Sequence, residues 1–564
     1  MSAGSQIVLG VNLGHDRSAC VAIGGEVHVA IAEERLSRVK HDIPLNSRGE
    51  RFCCFPHRAA HYCLAACGVG YGDVDLVAAS TTYVLDTGTG RRRGLLPEDI
   101  TSQCGGLAGA RVEIFGHHLT HAASASLCSG FPSAAVLVVD GGGSPLDGSS
   151  ALERTSIFHL RAGSLRLVRR SVGGPPAYGN SIGDLYQMVT CHLGFRAGEE
   201  GKTMGLAGFA PAARGTRWEP LPEFQRAIAV DDGVHQVADE LQYTADDGYH
   251  PHMLAAFGPP RARPRPDDPL DREIAASAQW AIEEGMLQLA RDALRITGER
   301  RLCLAGGVAL NCVANGRLLN EGDVDDLFVQ PAASDDGTAL GCALLGSESA
   351  RRAPTNWTFR SPYLGRRYSP AELAAALTDA GLSGEPCEAA AARIADDIAD
   401  GAIVALFRGG CEFGPRALGH RSILCDPRRP EMAEHLNARV KHREAFRPFA
   451  PIVLEERAAD FFELDVPSPY MLLSARVRRP DAIPAVTHVD GSARVQTVSR
   501  AQEPFLWEVI EGVRRRTGVP VVLNTSFNDR EPIVETPFDA MCCFLRTGID
   551  VLYLEDMRIA AGAA

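Results

Sequence analysis

The sequence predicts a mixed α/β protein of two domains, and three observations carry that expectation. The chain has 564 residues, which is long for one ordinary domain. Two stretches in the first third repeat one pattern, an apolar strand followed by a strand–glycine turn–strand hairpin. Past residue 390 the pattern changes to short strands alternating with short helices. A composition of 45% hydrophobic and 23% charged residues gives both parts the apolar surface of a full core.

Taken in order, "QIVLGVNL" (6–13) reads as a strand and "SACVAIGGEVHVAIAEERL" (18–36) as a hairpin turning at Gly24-Gly25. "AAVLVVDGGG" (134–143) is again an apolar strand, ending in Asp140, and "SALERTSIFHLRAGSLRLVRRSV" (150–172) is again a hairpin with a glycine in its turn. This internal duplication is the construction of actin and the sugar kinases, so the N-terminal domain is expected to be a duplicated actin-like fold. "DREIAASAQWAIEEGMLQLARDALRIT" (271–297) reads as a helix with Ile274, Ala278, Ile282, Leu289 and Leu294 near one face. "RLCLAGGVALNCVANGRLL" (301–319) is a strand, a Gly306-Gly307 turn and a helix start. The Pro/Arg-rich stretch 351–370 marks the way to a second domain. The expected boundaries are a first domain over 1–355, a linker over 356–390 and a second domain over 391–564.

Bulk properties exclude several functions. Net charge is −13, which repels nucleic-acid backbones and anionic lipid surfaces. A small anion is then accommodated only in a local basic pocket. The N-terminus lacks a basic leader region, and no apolar run has transmembrane length. Sixteen cysteines form no CxxC pair, which fits reduced thiols and a cytoplasmic enzyme.

Several motifs carry chemistry. In "IFGHHLTHAASAS" (114–126), His117 and His121 stand at i and i+4 on one helix face, a spacing that lets two imidazoles share a metal. The plainer reading is a helix start whose histidines bond backbone groups. A zinc protease would carry Glu after the first His, and this chain has His118. "FVQPAASDDGTALGCAL" (328–344) places Asp335 and Asp336 between a strand and a helix, where a carboxylate is either a ligand or a helix cap. Lys202, in "AGEEGKTMGLA" (197–207), belongs to no phosphate loop, because Arg196 stands where that loop needs Gly.

Only three of the 57 basic residues are lysines: Lys40, Lys202 and Lys441. Lys441 lies in "NARVKHREAFRPFAPIVLEE" (437–456), a solvated helix face or part of a binding pocket. "FRGGCEFGPRALGHRSILCDPRR" (407–429) interleaves glycines with Arg416 and Arg421, which suits polyphosphate. With Lys441, Arg443 and Arg447 the second domain holds five cations over a short span. "VLNTSFNDREPIVETP" (522–537) adds Asn524, Thr525, Ser526 and Asn528 just after a strand, a usual place for ligand contacts.

Together "GVNLGHDRSACVAIGGEVHVAIAEERLSRVKHD", "HHLTHAASA", "EGKTMGLA", "LAGGVALNCVANGRL", "PAASDDGTALGCAL", "EFGPRALGHRSIL", "KHREAFRPFAP", "HVDGSARVQTV" and "NTSFNDREPIVETP" resemble the NodU/CmcH family of O-carbamoyltransferases, of the antibiotic-carbamoylating type. The resemblance runs in order over essentially the whole chain. It implies an actin-like carbamoyl-transfer domain followed by a YrdC-like domain. The second would make carbamoyl adenylate from carbamoyl phosphate and ATP, with Mg²⁺ accompanying the ATP, and the first would pass the carbamoyl group to a hydroxyl of a natural product.

By motif, His117, His121 and Asp335 match the ligands of Fe²⁺ or another divalent metal, and His15 matches the histidine of transfer. Gly306, Gly307 and Asn311 fall where the adenosine part of the intermediate binds. Arg416, Lys441, Arg447, Arg494, Asn524 and Ser526 match contacts to carbamoyl phosphate and ATP, with Lys441 and Arg447 neutralising phosphate. Two positions depart from the family pattern: Gly410-Cys411 replaces Arg-Met, and His420 stands where Asn is usual. The family often dimerises, which extends to this chain as a homodimer. A tRNA threonylcarbamoylation enzyme is the alternative on the same fold, but it needs a basic surface. An actin-fold kinase is another, and it leaves the histidine pair and the second domain unexplained.

Overall fold

A computed structural model describes residues 6–42, 54–82, 84–85, 92–146, 151–174, 179–214, 218–243, 248–351 and 357–562. It divides into two units, one of residues 1–37 and 41–359, the other of 38–40 and 360–564.

The N-terminal unit is built on two five-stranded sheets. In the first, β1 (Ile7–Asn12), β2 (Ser18–Ile23), β3 (Glu26–Ala32), β4 (Leu76–Ser80) and β5 (Arg111–Ile114) lie in the order β3-β2-β1-β4-β5. In the second, β6 (Ser133–Val139), β7 (Leu152–Arg161), β8 (Ser164–Gly173), β9 (Arg301–Ala305) and β10 (Asp326–Val329) lie in the order β8-β7-β6-β9-β10. The senses also match. Each sheet pairs its first three strands antiparallel and adds the last two parallel. The duplication read from the two hairpins is therefore a property of the whole sheets. Both hairpins turn through two residues with positive φ, Gly24 (62°) with Gly25 (89°) and Ala162 (50°) with Gly163 (76°). That geometry matches the twist of the flanking strands.

Each half of this unit ends in a helix, α1 (His117–Ser126) and α2 (Thr338–Arg351). The face of α1 that carries Ala122 and Ala125 packs on Val136, Val138, Phe158 and Ala305 of the second sheet. The close approach of the two helices depends on Gly341. A Cβ there would lie 2.0 Å from the carbonyl oxygen of Thr120, far inside van der Waals contact.

The C-terminal unit is one nine-stranded sheet. Its strands are β11 (Glu385–Pro386), β12 (Val404–Phe407), β13 (Arg421–Cys425), β14 (Ala450–Leu454), β15 (Leu473–Arg476), β16 (Ser492–Val498), β17 (Val521–Ser526), β18 (Val551–Leu554) and β19 (Met557–Ala560). Their order is β11-β19-β18-β12-β13-β17-β14-β16-β15. Helices α3 (Ala390–Ala399) and α4 (Pro504–Thr517) bury Ile394, Ile398, Val509 and Ile510 against Leu406, Leu424, Ile452 and Val522 of that sheet. Each such side chain contributes about 1.5–3 kcal/mol when fully buried. The stretch 356–390, expected as a linker, carries a capped helix, Pro370–Asp379, and the edge strand β11. Residues 352–356 lie outside the described residues. Among the described residues no helix is long and apolar enough to cross a membrane.

Candidate functional site

The histidines of "HHLTH" go separate ways. Helix α1 begins at His117, so His117 and His121 share a face one turn apart, and their Nε2 atoms approach to 3.1 Å. His118 points elsewhere and bonds Ser156 through Nδ1 at 2.8 Å. Burial pulls its ring down to about 4, so it is a neutral core histidine. His118 is thus taken up by the core, while the rings of His117 and His121 converge.

Asp335 starts the turn that leads into α2, and the tight contact at Gly341 brings that turn to α1. Its Oδ1 lies 3.3 Å from Nε2 of His117 and 3.4 Å from Nε2 of His121. Asp140, at the end of β6, completes the group with Oδ2 at 3.3 Å and 3.8 Å from the same nitrogens. The four ligand atoms lie within 4.8 Å of one another. Sequence reasoning noted Asp140 as a strand end before three glycines but did not make it a ligand. The missing signal was its register, since β6 pairs with β9 and so places Asp140 beside Gly306 and Gly307.

The donor set fits a divalent first-row ion: two imidazoles and two carboxylates. A second observation agrees. Both oxygens of Asp335 are fully buried and face imidazole nitrogens, those of His117 and His121 at Oδ1 and that of His15 at Oδ2, so protonated rings or a bound cation must balance the charge of this carboxylate. Among the described residues the Nδ1 atoms of both histidines are also buried without a hydrogen-bond partner, and no outer acceptor of the kind that often orients ligating histidines reaches them.

His15 adjoins this group. Its Nε2 lies 3.1 Å from Oδ2 of Asp335 and its Nδ1 3.2 Å from Oδ2 of Asp16. Burial alone would lower its pKa, but Asp335 and then Asp16 outweigh it and raise the ring to about 9. Of the residues matched to adenosine, Gly307 donates its N–H to Oδ1 of Asp140 at 2.9 Å. Gly306 has φ 90°, and a Cβ there would strike the Val139 carbonyl, so the turn beside Asp140 requires glycine. Asn311 caps the helix Cys312–Glu321 and exchanges two hydrogen bonds with Gln279, so its amide is engaged within the protein. Lys202 pairs with Glu199 at 2.7 Å.

In the C-terminal unit the glycine-rich loop after β12 is organised by a residue that sequence reasoning passed over. Buried Glu412 accepts through Oε1 from the N–H groups of Leu418, His420 and Arg421. That network curls the loop so that the Ala417 carbonyl accepts from Asn524 Nδ2 at 2.8 Å. The cations in the region do different things. Arg421 is fully buried, stacks on Phe407 at 3.6 Å and donates to the carbonyls of Arg408, Gly409 and His420. It is a structural arginine.

Lys441 ends a π-helical turn and is also buried. Its Nζ meets the Ser526 carbonyl at 3.0 Å, the Asn528 carbonyl at 2.8 Å and Oδ1 of Asn528 at 2.5 Å. Its three N–H groups hold the turn after β17, which rules out the solvated helix face. Arg443, Arg447 and Arg494 stand together instead. Burial, then the charges of Arg447 and Arg494, bring Arg443 down to about 9, and Arg447 stays 35% exposed. Arg416 is half-buried on the glycine loop. Asn524 and Ser526 lie in register with Leu424 and Ser422 of β13. His420 stacks on Tyr363 with ring centroids 3.5 Å apart and bonds the Gly410 carbonyl at 2.7 Å, so this departure is absorbed by packing.

Residues 100–344 match the carbamoyltransferase N-terminus family model and residues 395–561 the carbamoyltransferase C-terminus model. Nodulation protein NolNO of Sinorhizobium fredii is 38% identical over 581 residues, covering 97% of this chain and 80% of that protein. Nodulation protein NolO of Bradyrhizobium diazoefficiens is 40% identical over 453 residues, with 77% of each chain covered. Among solved structures, component A of the (R)-2-hydroxyglutaryl-CoA dehydratase of Acidaminococcus fermentans overlaps 61% of this chain and 99% of its own at 14% identity and a TM-score of 0.36, a distant likeness only. On the family models and the near full-length relatives, the chain belongs to the carbamoyltransferase family and is a carbamoyltransferase.

Proposed function

We propose that the chain is an ATP-dependent O-carbamoyltransferase that works in two steps, one in each unit. The reading rests on one observation: a single chain holds a buried two-histidine, two-carboxylate group in one unit and a cluster of guanidiniums in the other.

In the C-terminal unit, read as YrdC-like, water cleaves carbamoyl phosphate to carbamate and phosphate. A carbamate oxygen then attacks the α-phosphorus of Mg²⁺-bound ATP, giving carbamoyl adenylate and displacing pyrophosphate. Both substrates are polyanions that repel one another. Arg416, Arg447 and Arg494 neutralise them, while Lys441 keeps Ser526 and Asn528 in place and Asn524, on the same strand as Ser526, borders the phosphates. A fixed cation aimed at developing negative charge contributes about 3–4 kcal/mol to such a step.

In the N-terminal unit, read as actin-like, His117, His121, Asp140 and Asp335 hold a divalent ion, with Fe²⁺ the family's choice. When bound, the ion supplies Lewis acidity and a counter-charge for phosphate. Gly306, Gly307 and Asn311 border the adenosine. In its neutral form His15 removes the proton of the acceptor hydroxyl, whose oxygen bonds the carbamoyl carbon as AMP leaves. The acceptor is a small hydroxylated natural product.

The decisive experiment measures pyrophosphate release from ATP with and without carbamoyl phosphate. Release that requires carbamoyl phosphate supports the reading. ADP instead of pyrophosphate means a kinase, and a requirement for threonine and bicarbonate means threonylcarbamoyl chemistry. A screen of hydroxylated natural products for the mass gain of a carbamoyl group then identifies the acceptor.

A further inference from the structure

Three residues from the start of the chain belong to the C-terminal unit. Arg38, Val39 and Lys40 group with residues 360–564, while their neighbours on both sides group with the first unit. Arg38 follows the short helix Glu34–Ser37 in the left-handed region (φ 62°), a usual way for a helix to end. Its side chain then grips one loop. Nη2 donates to the Pro532 carbonyl at 2.6 Å and Nη1 to the Ile533 carbonyl at 2.8 Å, while Nε lies 3.6 Å from Oδ1 of Asp539.

Lys441 holds that same loop from its other end. The Val534 N–H donates to the Phe527 carbonyl at 3.0 Å and Asn528 Nδ2 to the Glu531 carbonyl at 2.6 Å, so residues 526–534 close on themselves as one turn. Lys441 bonds Ser526 and Asn528 at its start, and Arg38 bonds Pro532 and Ile533 at its finish. Lys40 stands within electrostatic reach of this arrangement. Burial, then the positive charges of Arg443, Lys40 and Arg447, hold the Lys441 amine well below the usual lysine range. Only three of the 57 basic residues are lysines, and two of the three meet here. They differ in role, since Lys441 is buried and committed to backbone carbonyls whereas Lys40 is exposed.

We propose that residues 38–40 complete the anion site of the C-terminal unit, Arg38 as a positioning residue for the turn that carries Ser526 and Asn528, and Lys40 as a further cation for the phosphate-bearing substrate.

Positive groups gathered in one place repel one another, and a polyanion entering among them relieves that repulsion. An ammonium on a flexible stem suits the task of meeting an anion that arrives and leaves, because it is strongly hydrated when alone. The planar fork of Arg38 suits the other task, since its two Nη atoms reach two successive carbonyls at once. Were residues 38–40 only a fastening, their loss would lower stability and leave anion affinity untouched.

The inference rests on the reading of this unit as a polyanion site, but its test needs neither carbamoyl phosphate nor an acceptor. Full-length protein is titrated calorimetrically with inorganic pyrophosphate at low and at high salt. Lys40→Ala is expected to weaken binding about tenfold at about 0.05 M salt and only about twofold at about 0.5 M, because salt screens an exposed charge. Lys40→Arg should bind as the wild type does. Arg38→Ala should weaken binding at both salt concentrations, since it loosens the turn, and Arg38→Lys should not restore it. Wild-type protein that does not bind pyrophosphate, or Lys40→Ala that binds it as tightly as the wild type, overturns the proposal. Arg38→Ala with a lowered thermal midpoint but unchanged affinity overturns the part given to Arg38, and if that variant does not fold, Arg38→Lys decides the same point. Pyrophosphate release that requires carbamoyl phosphate tests the reading of function separately. A chain that binds pyrophosphate through Lys40 yet shows no such release would fail that reading and keep this inference.

Discussion

The two sites solve opposite charge problems with opposite materials. In the N-terminal unit the ligand atoms belong to short side chains at helix and strand ends, and His117, His121 and Asp335 have no solvent exposure. In the C-terminal unit the cations are long side chains, Arg416 and Arg447 on loops and Arg494 on β16, and Arg447 keeps a third of its surface in water. A resident cation needs a dry, rigid cage, because electrostatic attraction is strongest where water is excluded. A polyanion that arrives and leaves at each turnover needs donors that move and rehydrate at low cost. Under the proposed two-step function, the contrast separates a site that keeps its ion from one that exchanges it.

The sharpest way to break that contrast is to damage one site and read both. His121→Ala is expected to reduce bound metal from about one per chain to below about a tenth and to slow carbamoyl transfer at least about a hundredfold. Elemental analysis and product mass measure the two effects, and pyrophosphate release should survive. The mirror experiment is Arg447→Ala. It should slow pyrophosphate release by about 10²–10³-fold, measured by a coupled phosphate assay, with metal content unchanged. If either variant damages both readouts equally, the two sites do not act separately and the two-step reading loses its basis.

These tests also show what was legible in the sequence. The pair His117 and His121 was, because helical spacing fixes which residues share a face. Asp335 was legible as a carboxylate between a strand and a helix. Asp140 was not, because its place beside the pair depends on how α1 packs on β6, a tertiary contact that no local pattern encodes. The duplication was visible in two hairpins, and the matching strand orders extend it to whole sheets. In the second unit the sequence showed five cations but not their directions. Arg421 and Arg447 look alike on paper, yet one is stacked on Phe407 under the loop and the other faces solvent. Lys441 read as a phosphate ligand, and its Nζ proves committed to Ser526 and Asn528. Side-chain direction in a loop is set by tertiary partners, which no local pattern encodes.

A smaller effect sharpens the claim that the buried cage is rigid. Gly341→Ala places a methyl group against the Thr120 carbonyl, so α1 and α2 must separate. Overpacking of this kind costs about 1–3 kcal/mol, visible as a lowered thermal midpoint. Because Asp335 and the histidines sit on the two elements being pushed apart, metal affinity should fall as well, while pyrophosphate release is unaffected. A variant that loses stability but binds metal as tightly as the wild type would mean that the cage tolerates motion.

The smallest expected effect compares the two units under acid. Burial holds the rings of His192 and His235 down at about 4, assisted at His192 by the charge of Arg261, and both lie in the N-terminal unit. Unfolding returns each ring to an ordinary value near 6.5, so the unfolded chain binds more protons between those limits. Stability therefore falls as pH drops from about 6.5 to about 4, by at most about 3 kcal/mol for each ring. His15 and His41, raised to about 9, do not oppose this, since their contribution is already complete below 6.5 and is lost only at higher pH. Of the four tryptophans, Trp507 alone belongs to the C-terminal unit. Urea midpoints from Trp507→Phe protein thus report the N-terminal unit, and wild-type fluorescence adds the other. The N-terminal transition should move to lower urea between pH 7 and 4.5, and His235→Gln, which stays neutral, should flatten part of that slope. An N-terminal midpoint that holds steady while the C-terminal one shifts would place the acid-sensitive burial in the wrong half of the molecule.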